Sequence, residues 1–354
     1  MFRSSLREAA KFDSSKLDLG VALRCIPAVA MPLIAGFWLG HRESLVMAGG
    51  AVSVGFGSWQ RISTSRTLPL LCASFGMALT AALGTLVGNY GISLALTVAA
   101  WGFLTGLLWA LDTGIWWVGL QCGIALLVAA AYTGGLAAAG LRACLVLSGG
   151  LLQTLCALIL QPELREPSTA AREHGSWRRP GIRRAFKRLR AHVSLASPAF
   201  RYGVRLALTL GSSAGIARSL EMRQWYWVPM TAGLVLKPEL QQTLARGVAR
   251  IAGTIVGAAI ATLVAALLRP SPEVLAVLVL VSVALCYSLF NVNYAVYAVA
   301  ITAYVVFLLA LVGLPELATV RARVVNTALG GLCALLGHFV LQKPHLRRAS
   351  ALKV

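Results

Sequence analysis

The sequence predicts an all-α polytopic membrane protein of about twelve transmembrane helices, arranged as two parallel six-helix repeats. Three observations carry that prediction. The 354 residues are 58% hydrophobic and only 12% charged, with a mean hydropathy of +0.76, outside the range of ordinary soluble domains. Apolar stretches repeatedly approach the ~20 residues that a helix needs to cross ~30 Å of hydrocarbon, and the short alternating segments of a barrel are absent. These stretches fall into two sets of six on either side of a polar linker.

In chain order the expected spans are 17–40, 44–59, 67–88, 91–111, 114–133 and 136–160, then 202–220, 224–241, 246–268, 272–290, 293–312 and 320–341. The second and eighth are short for a full crossing and are expected to tilt or to be partly re-entrant, which would lower the count by two. The organisation is therefore a six-helix repeat over 1–160, a basic linker over 161–199, a second repeat over 200–342 and a basic tail over 343–354. The segment beginning "LGVALRC" can be laid on the one beginning "YGVRLAL" about 183 residues later, pairing Gly20–Val21 with Gly203–Val204 and Gly50 with Gly233. A rival register sets "GTLVG" at 84–88 against "GTIVG" at 253–257. Six spans per unit make the repeats parallel, about an axis along the membrane normal, with a substrate route between the halves.

A formal charge of +20 and a pI near 10.6 would suit nucleic acid, but the distribution argues otherwise. With the N-terminus inside, the cytoplasmic segments hold Arg3, Arg7, Lys11, Lys16, Arg61, Arg66, the cations from Arg165 to Arg190, Lys237 and the basic tail. The other side holds Arg42, Arg142, Arg218, Arg223, Arg269, Arg321 and Arg323. That bias follows the positive-inside rule, so both termini and the linker are expected in the cytoplasm and no nucleic-acid partner is expected. The first span has no convincing small-residue cleavage site after it and is read as an uncleaved helix. In the linker, Ile182, Phe186, Leu189 and Val193 fall on one helical face among Arg183, Arg184, Lys187, Arg188 and Arg190. Such a helix suits anionic lipid headgroups, either as a plain tether or as a lipid sensor.

Chemistry-bearing motifs are scarce. The seven cysteines lie inside apolar spans with no CxxC pair, and the five histidines have no ligand-spaced partners, so neither a metal nor another cofactor is expected. There is no phosphate loop, no HExxH and no nucleophile–base set, which argues against an enzyme.

What remains are polar residues inside spans, each costly unless it faces water, a partner or a ligand. The stretch "QWYWVPMTAGLVLKP" sets Trp225, Tyr226 and Trp227 at one end of a short span and Lys237 at the other. An aromatic belt and a positive-inside lysine would explain those ends; a wall of an anion path explains them as well. Arg246, Arg250 and Thr254 recur every fourth residue on one face of the ninth span, beside a GxxxG formed by Gly253 and Gly257 that permits close helix approach. Arg24 and Arg205 lie a turn or so into the first and seventh spans, where they can snorkel or bind. Asn293, Tyr294 and Tyr297 give the eleventh span a polar, aromatic side, and Asn293 falls near the position of Asp112 in the other copy. Asp112 and Glu239 are the candidates for proton coupling, unless Glu239 pairs with Lys237 or caps a helix.

"FRYGVRLALTLGSSAGI", "YWVPMTAGLVLKP" and "TLARGVARIAGTIVGAAIA", with the later "RARVVNTALGGLCALLG", resemble the fusaric acid resistance family of inner-membrane proteins. That family includes aromatic acid exporters and is related to plant aluminium-activated malate transporters. The specific match covers about 199–262, chiefly Tyr226–Trp227–Val228, Lys237–Pro238, Arg246, Arg250 and Gly253–Thr254, with Arg321, Arg323, Asn326 and Gly330 in the last span. The resemblance implies efflux or permeation of organic anions, in particular aromatic carboxylates, across a bacterial inner membrane. It also implies a periplasmic adaptor as partner, while pairing with a second copy of the chain stays open. Longer members carry large cytoplasmic domains after each six-helix set, at places where this sequence shows a linker of under forty residues and a tail of about a dozen. The leading expectation is a gradient-driven exporter; a passive anion channel and a non-transporting envelope scaffold are the alternatives.

Overall fold

The computed structural model describes residues 11–40, 43–161 and 182–340, and among them every extended element is a helix. A first set comprises α1 (Leu19–Leu39), α2 (Ser44–Gly55, continued by a 3-10 turn at Phe56–Trp59), α3 (Leu68–Val87), α4 (Gly91–Leu108), α5 (Thr113–Ala130) and α6 (Leu136–Leu160). After α7 (Ile182–Ala191) a second set begins: α8 (Pro198–Ser219), α9 (Trp227–Val235), α10 (Leu240–Leu268), α11 (Pro272–Leu289), α12 (Tyr294–Leu311) and α13 (Glu316–His338). The stretches 162–181 and 341–354, which hold four of the linker's nine cations and the basic tail, lie outside the described residues.

Local chemistry fixes many helix starts. Asp18, Asp112 and Asn293 cap α1, α5 and α12 by accepting backbone N–H bonds from Val21 (2.9 Å), from Gly114 (2.7 Å), and from Ala295 and Val296 (2.8 and 3.0 Å). Proline stands in the first turn of α3, α8 and α11, where its missing N–H costs nothing. Gly40, at φ +69°, ends α1 in the left-handed conformation.

Eight helices (α1, α3, α4, α5, α6, α10, α11 and α12) are long and apolar enough to cross a membrane, which makes the chain a multi-pass membrane protein. The other four of the expected twelve differ in kind. Helices α8 and α13 have the length, at 22 and 23 residues, but carry arginines: Arg201, Arg205 and Arg218 on one, Arg321 and Arg323 on the other. Helix α2 and its 3-10 turn reach roughly 26 Å. Helix α9, at nine residues, is only roughly 14 Å long and spans no bilayer as a helix.

Packing repeats between the sets. Within the first, α2 and α3 lie on α6, α3 on α5, and α1 on α2 and α6; within the second, α9 and α10 lie on α13, α10 on α12, and α8 on α9 and α13. Across the sets, α4 packs on α8 and α1 on α11. Glycine permits the closest of these approaches. A Cβ on Gly149 would stand 1.9 Å from the Met47 carbonyl oxygen and 3.1 Å from the Ala51 nitrogen; one on Gly330 would stand 2.5 Å from the Val228 oxygen and 3.2 Å from the Ala232 nitrogen. The GxxxG of α10 acts as its spacing predicts, seating α10 against the Ala295 and Val299 carbonyls of α12.

Two loops fix one end of the bundle. The Lys11 carbonyl accepts from Asn293 Nδ2 (2.9 Å), and Ser63 N–H donates to Asp112 (3.1 Å), so the N-terminal segment and the α2–α3 corner meet the turns before α12 and α5. Lys237, after α9, reaches Trp116 in the first turn of α5 and lies at this same end.

Candidate functional site

The second set buries three cations, and among the described residues it buries no acid. Lys237 is 5% exposed, Arg250 2% and Arg323 2%, while no aspartate or glutamate is buried. Arg246, half-buried, completes the series. The single ion pair among the described residues, Lys16 with Asp13 at 3.0 Å, lies in the N-terminal segment. Uncompensated charge in an apolar interior is strongly disfavoured, so these four cations, with no buried carboxylate among the described residues, mark the candidate site.

Three of the four cations rest on aromatic rings. Lys237 Nζ lies 4.1 Å from the Trp116 centroid, the Arg246 guanidinium 4.7 Å from Tyr294, and that of Arg323 4.8 Å from Trp227. Ring faces hold a cation without using up its N–H donors. Arg250 Nε and Nη1 and Arg323 Nε have no hydrogen-bond partner, and the hydroxyls of Thr254 and Tyr294 are also buried and unpaired. Arg246 and Arg250 are one turn apart on α10, and Arg323 of α13 lies within the field of Arg250. The series climbs from Lys237 at the end of the bundle, past Arg246 and Arg250, to Arg323.

Of the two readings of this stretch, the lipid-facing aromatic belt does not hold. Trp225, Tyr226 and Trp227 are 5%, 5% and 2% exposed, stacked edge to face at 6.3 and 5.6 Å, and packed in the bundle core away from lipid. The cause lies in the turn after α8. Glu221 and Gln224 adopt positive φ (49° and 46°), and Asn326 of α13 donates to the carbonyls of Arg223 and Gln224 (2.8 and 3.0 Å), drawing the start of α9 inward along α13. At its other end Tyr202 OH donates to the Leu236 carbonyl (3.2 Å), and Thr243 accepts from Lys237 N–H (3.0 Å).

Other candidates have structural employment. Asn293 accepts the capping bonds of Ala295 and Val296 and donates to the Lys11 carbonyl, which fixes the turn before Tyr294. Arg205 donates to the carbonyls of Val340 (2.9 Å) and Pro238 (3.4 Å), clamping the end of α13 to the α9–α10 corner; it neither snorkels nor joins the cation series. Arg24 is half-buried on α1, whose main neighbours are α2, α6 and α11. Asp112 is spent on its cap and on Ser63. Glu239 is exposed and accepts from Gln242 (3.0 Å); it makes no cap bond of its own, and no ion pair with Lys237 forms. Tyr297 stacks with Tyr294 at 5.8 Å and meets Phe56 of the first set at the same centroid distance.

Sequence reasoning misses the parts played by Arg323 and Trp116. It counts Arg323 with the loop charges at the mouth of the last span, but α13 begins at Glu316, behind Pro315, which carries Arg323 two turns inside. The signal is an arginine followed by fourteen residues without a charge, 324–337. Trp116 gives none, because its role depends on a lysine from the other set.

In comparisons with known proteins, residues 212–337 match the family model described as fusaric acid resistance protein-like. Among curated proteins, the chain is 29% identical over 165 residues to an uncharacterized protein, ORF2, of Neisseria gonorrhoeae, covering 47% of this chain and 38% of that one. It is 32% identical over 155 residues to the inner membrane protein YccS of Escherichia coli K12, covering 44% and 21%. It is 30% identical over 149 residues to the uncharacterized protein YhfK of the same organism, covering 42% and 21%. The matched stretch thus spans between about a fifth and two fifths of the length of these relatives. No solved structure matches.

Proposed function

We propose that this chain, whose residues 212–337 match the fusaric acid resistance protein-like family model, carries organic anions, aromatic carboxylates foremost, across a bacterial inner membrane. The observation that carries the proposal is the pair Arg250 and Arg323, each 2% exposed, with guanidinium nitrogens unpaired and, among the described residues, no buried acid to answer them. A carboxylate would take the unspent N–H groups, and the rings of Trp227, Tyr226 and Tyr294 would receive an aromatic body. Lys237 and Arg246, at the end of the bundle that the positive-inside rule assigns to the cytoplasm, would draw the anion in.

Two parallel six-helix repeats are part of this reading. A separation of 181 residues relates Arg24 to Arg205, Gly76 to Gly257, Asp112 to Asn293 and Gly149 to Gly330, and neither register expected from the sequence does this. It also relates the contacts: Gly149 against Met47 and Ala51 becomes Gly330 against Val228 and Ala232. On this register the matched rings differ in an informative way. Phe56 against Tyr297 in one interface becomes Lys237 against Trp116 in the other. The cations would then belong to one repeat, with the other as scaffold.

Flux of hydroxybenzoate-type acids from proteoliposomes tests the proposal, with Arg250→Gln as control. No flux across a broad acid panel would overturn it, and resolved unitary currents in planar bilayers would replace the carrier with a channel.

A further inference from the structure

The first set contains a matched arginine that shows what a satisfied one looks like. Arg142, 181 positions before Arg323, donates through Nη1 to the Thr85 hydroxyl (2.6 Å) and to the Tyr132 carbonyl, and so ties the start of α6 to α3. Arg323 has a ring face from Trp227 and an Nε with no partner at all. One arginine is used to hold the fold; the other is held with its donors kept available.

The groups that could neutralise the cation series from within the protein are few. Among the described residues, Asp112 serves its cap and Glu239 faces outward to Gln242, and the remaining acids with described side chains (Asp13, Asp18, Glu43, Glu221 and Glu273) are exposed or half-buried at helix ends or in loops. Tyr294 offers Arg246 a ring face and no carboxylate. His338, 4% exposed at the end of α13, adds positive charge when protonated and can never subtract it. Among the described residues no carboxylate stands ready to answer Arg250 and Arg323 once an anion leaves, and a low-dielectric interior penalises that state heavily.

We infer that the protein is an anion exchanger: the organic anion leaves only as a second anion takes its place on Arg250 and Arg323. The inference rests on the proposed reading of the cation series as the transport site and adds its coupling. Each cycle exchanges one anion outward for one inward, and for equal charges the cycle is electroneutral, so neither a proton nor a membrane potential is needed to drive it.

The test uses the whole chain in liposomes loaded with radiolabelled benzoate, with potassium and valinomycin present so that charge build-up cannot limit efflux. Efflux into external chloride or benzoate is expected to exceed efflux into dextran sulfate, an impermeant polymeric anion, by about tenfold or more. Equal efflux into dextran sulfate would overturn the exchange mechanism while leaving organic-anion transport standing. If benzoate moves under no condition, labelled chloride replaces it. Chloride–chloride exchange would then sustain the mechanism and overturn the organic-anion reading, and no exchange of either would overturn both. Arg323→Gln, checked for a single folded peak by size exclusion, should shrink that ratio toward one, while Arg323→Lys should preserve it. A ratio unchanged in folded Arg323→Gln would overturn the role assigned to that charge.

Discussion

The ammonium nitrogen of Lys237 lies 4.1 Å from the centre of the Trp116 ring, joining the corner after α9 to the first turn of α5 across the two helix sets. A desolvated cation on an indole face contributes about 2 kcal/mol. A double-mutant cycle of Trp116→Leu and Lys237→Met, followed by denaturation in detergent, should give a coupling of about 1–2 kcal/mol, with Trp116→Phe retaining part of it. Coupling near zero would mean that the lysine has no energetic attachment to the ring.

Arg323 and Arg142 should respond in opposite ways to the same substitution. Arg142→Gln removes the bonds to Thr85 and Tyr132 and should lower stability by about 1–3 kcal/mol. Arg323→Gln removes a buried, uncompensated charge and should raise the melting temperature measured without added anion. In the wild type a binding anion at a hundred times its Kd should stabilise by about 2.7 kcal/mol, and in Arg323→Gln that gain should be lost. Thermal shifts with benzoate as probe decide both points.

Glycine positions on α6 and α13 set how closely α2 and α9 approach. Gly149→Ala and Gly330→Ala each push a methyl group into backbone and should cost about 1–3 kcal/mol or more, seen as lost yield of monodisperse protein. Gly49→Ala, on α2 with nothing within 4 Å, should be neutral or slightly stabilising. Equal tolerance at all three would contradict the close packing.

The caps separate structure from transport. Asp112→Ala and Asn293→Ala should each cost about 1 kcal/mol of stability. Flux per folded molecule should be unchanged for Asp112→Ala, because its carboxylate serves Gly114 and Ser63. A pH-dependent loss of flux in that variant would restore the aspartate as a proton-coupling group.

Much of the architecture is legible in the sequence because it arises from one-dimensional signals. Apolar length marks the membrane-crossing helices, the spacing of Gly253 and Gly257 marks the face on which α10 meets α12, and Asp112 and Asn293 stand at matching turns. The site is half legible. Lys237, Arg246 and Arg250 stand out as cations in or beside apolar runs, whereas Arg323 is hidden by a helix whose start, at Glu316, precedes its apolar run.

By itself, then, the sequence determined that the chain lies in a membrane as a helical bundle, since apolar length and backbone hydrogen bonding leave no other solution for these segments. It also determined that this bundle is rich in arginine and poor in acid. Only the tertiary structure decided which cations go unanswered. Arg142, Arg205 and Arg323 look alike in sequence, yet the first two find carbonyls or a hydroxyl and the third finds a tryptophan ring. The same holds for Trp225, Tyr226 and Trp227, whose sequence suits a lipid-facing belt as well as a wall within the bundle, and whose turn Asn326 draws into the core. A hydrogen-bond partner far along the chain leaves no mark on local pattern, and that partner decides whether an arginine is tied into the fold or left with donors unpaired.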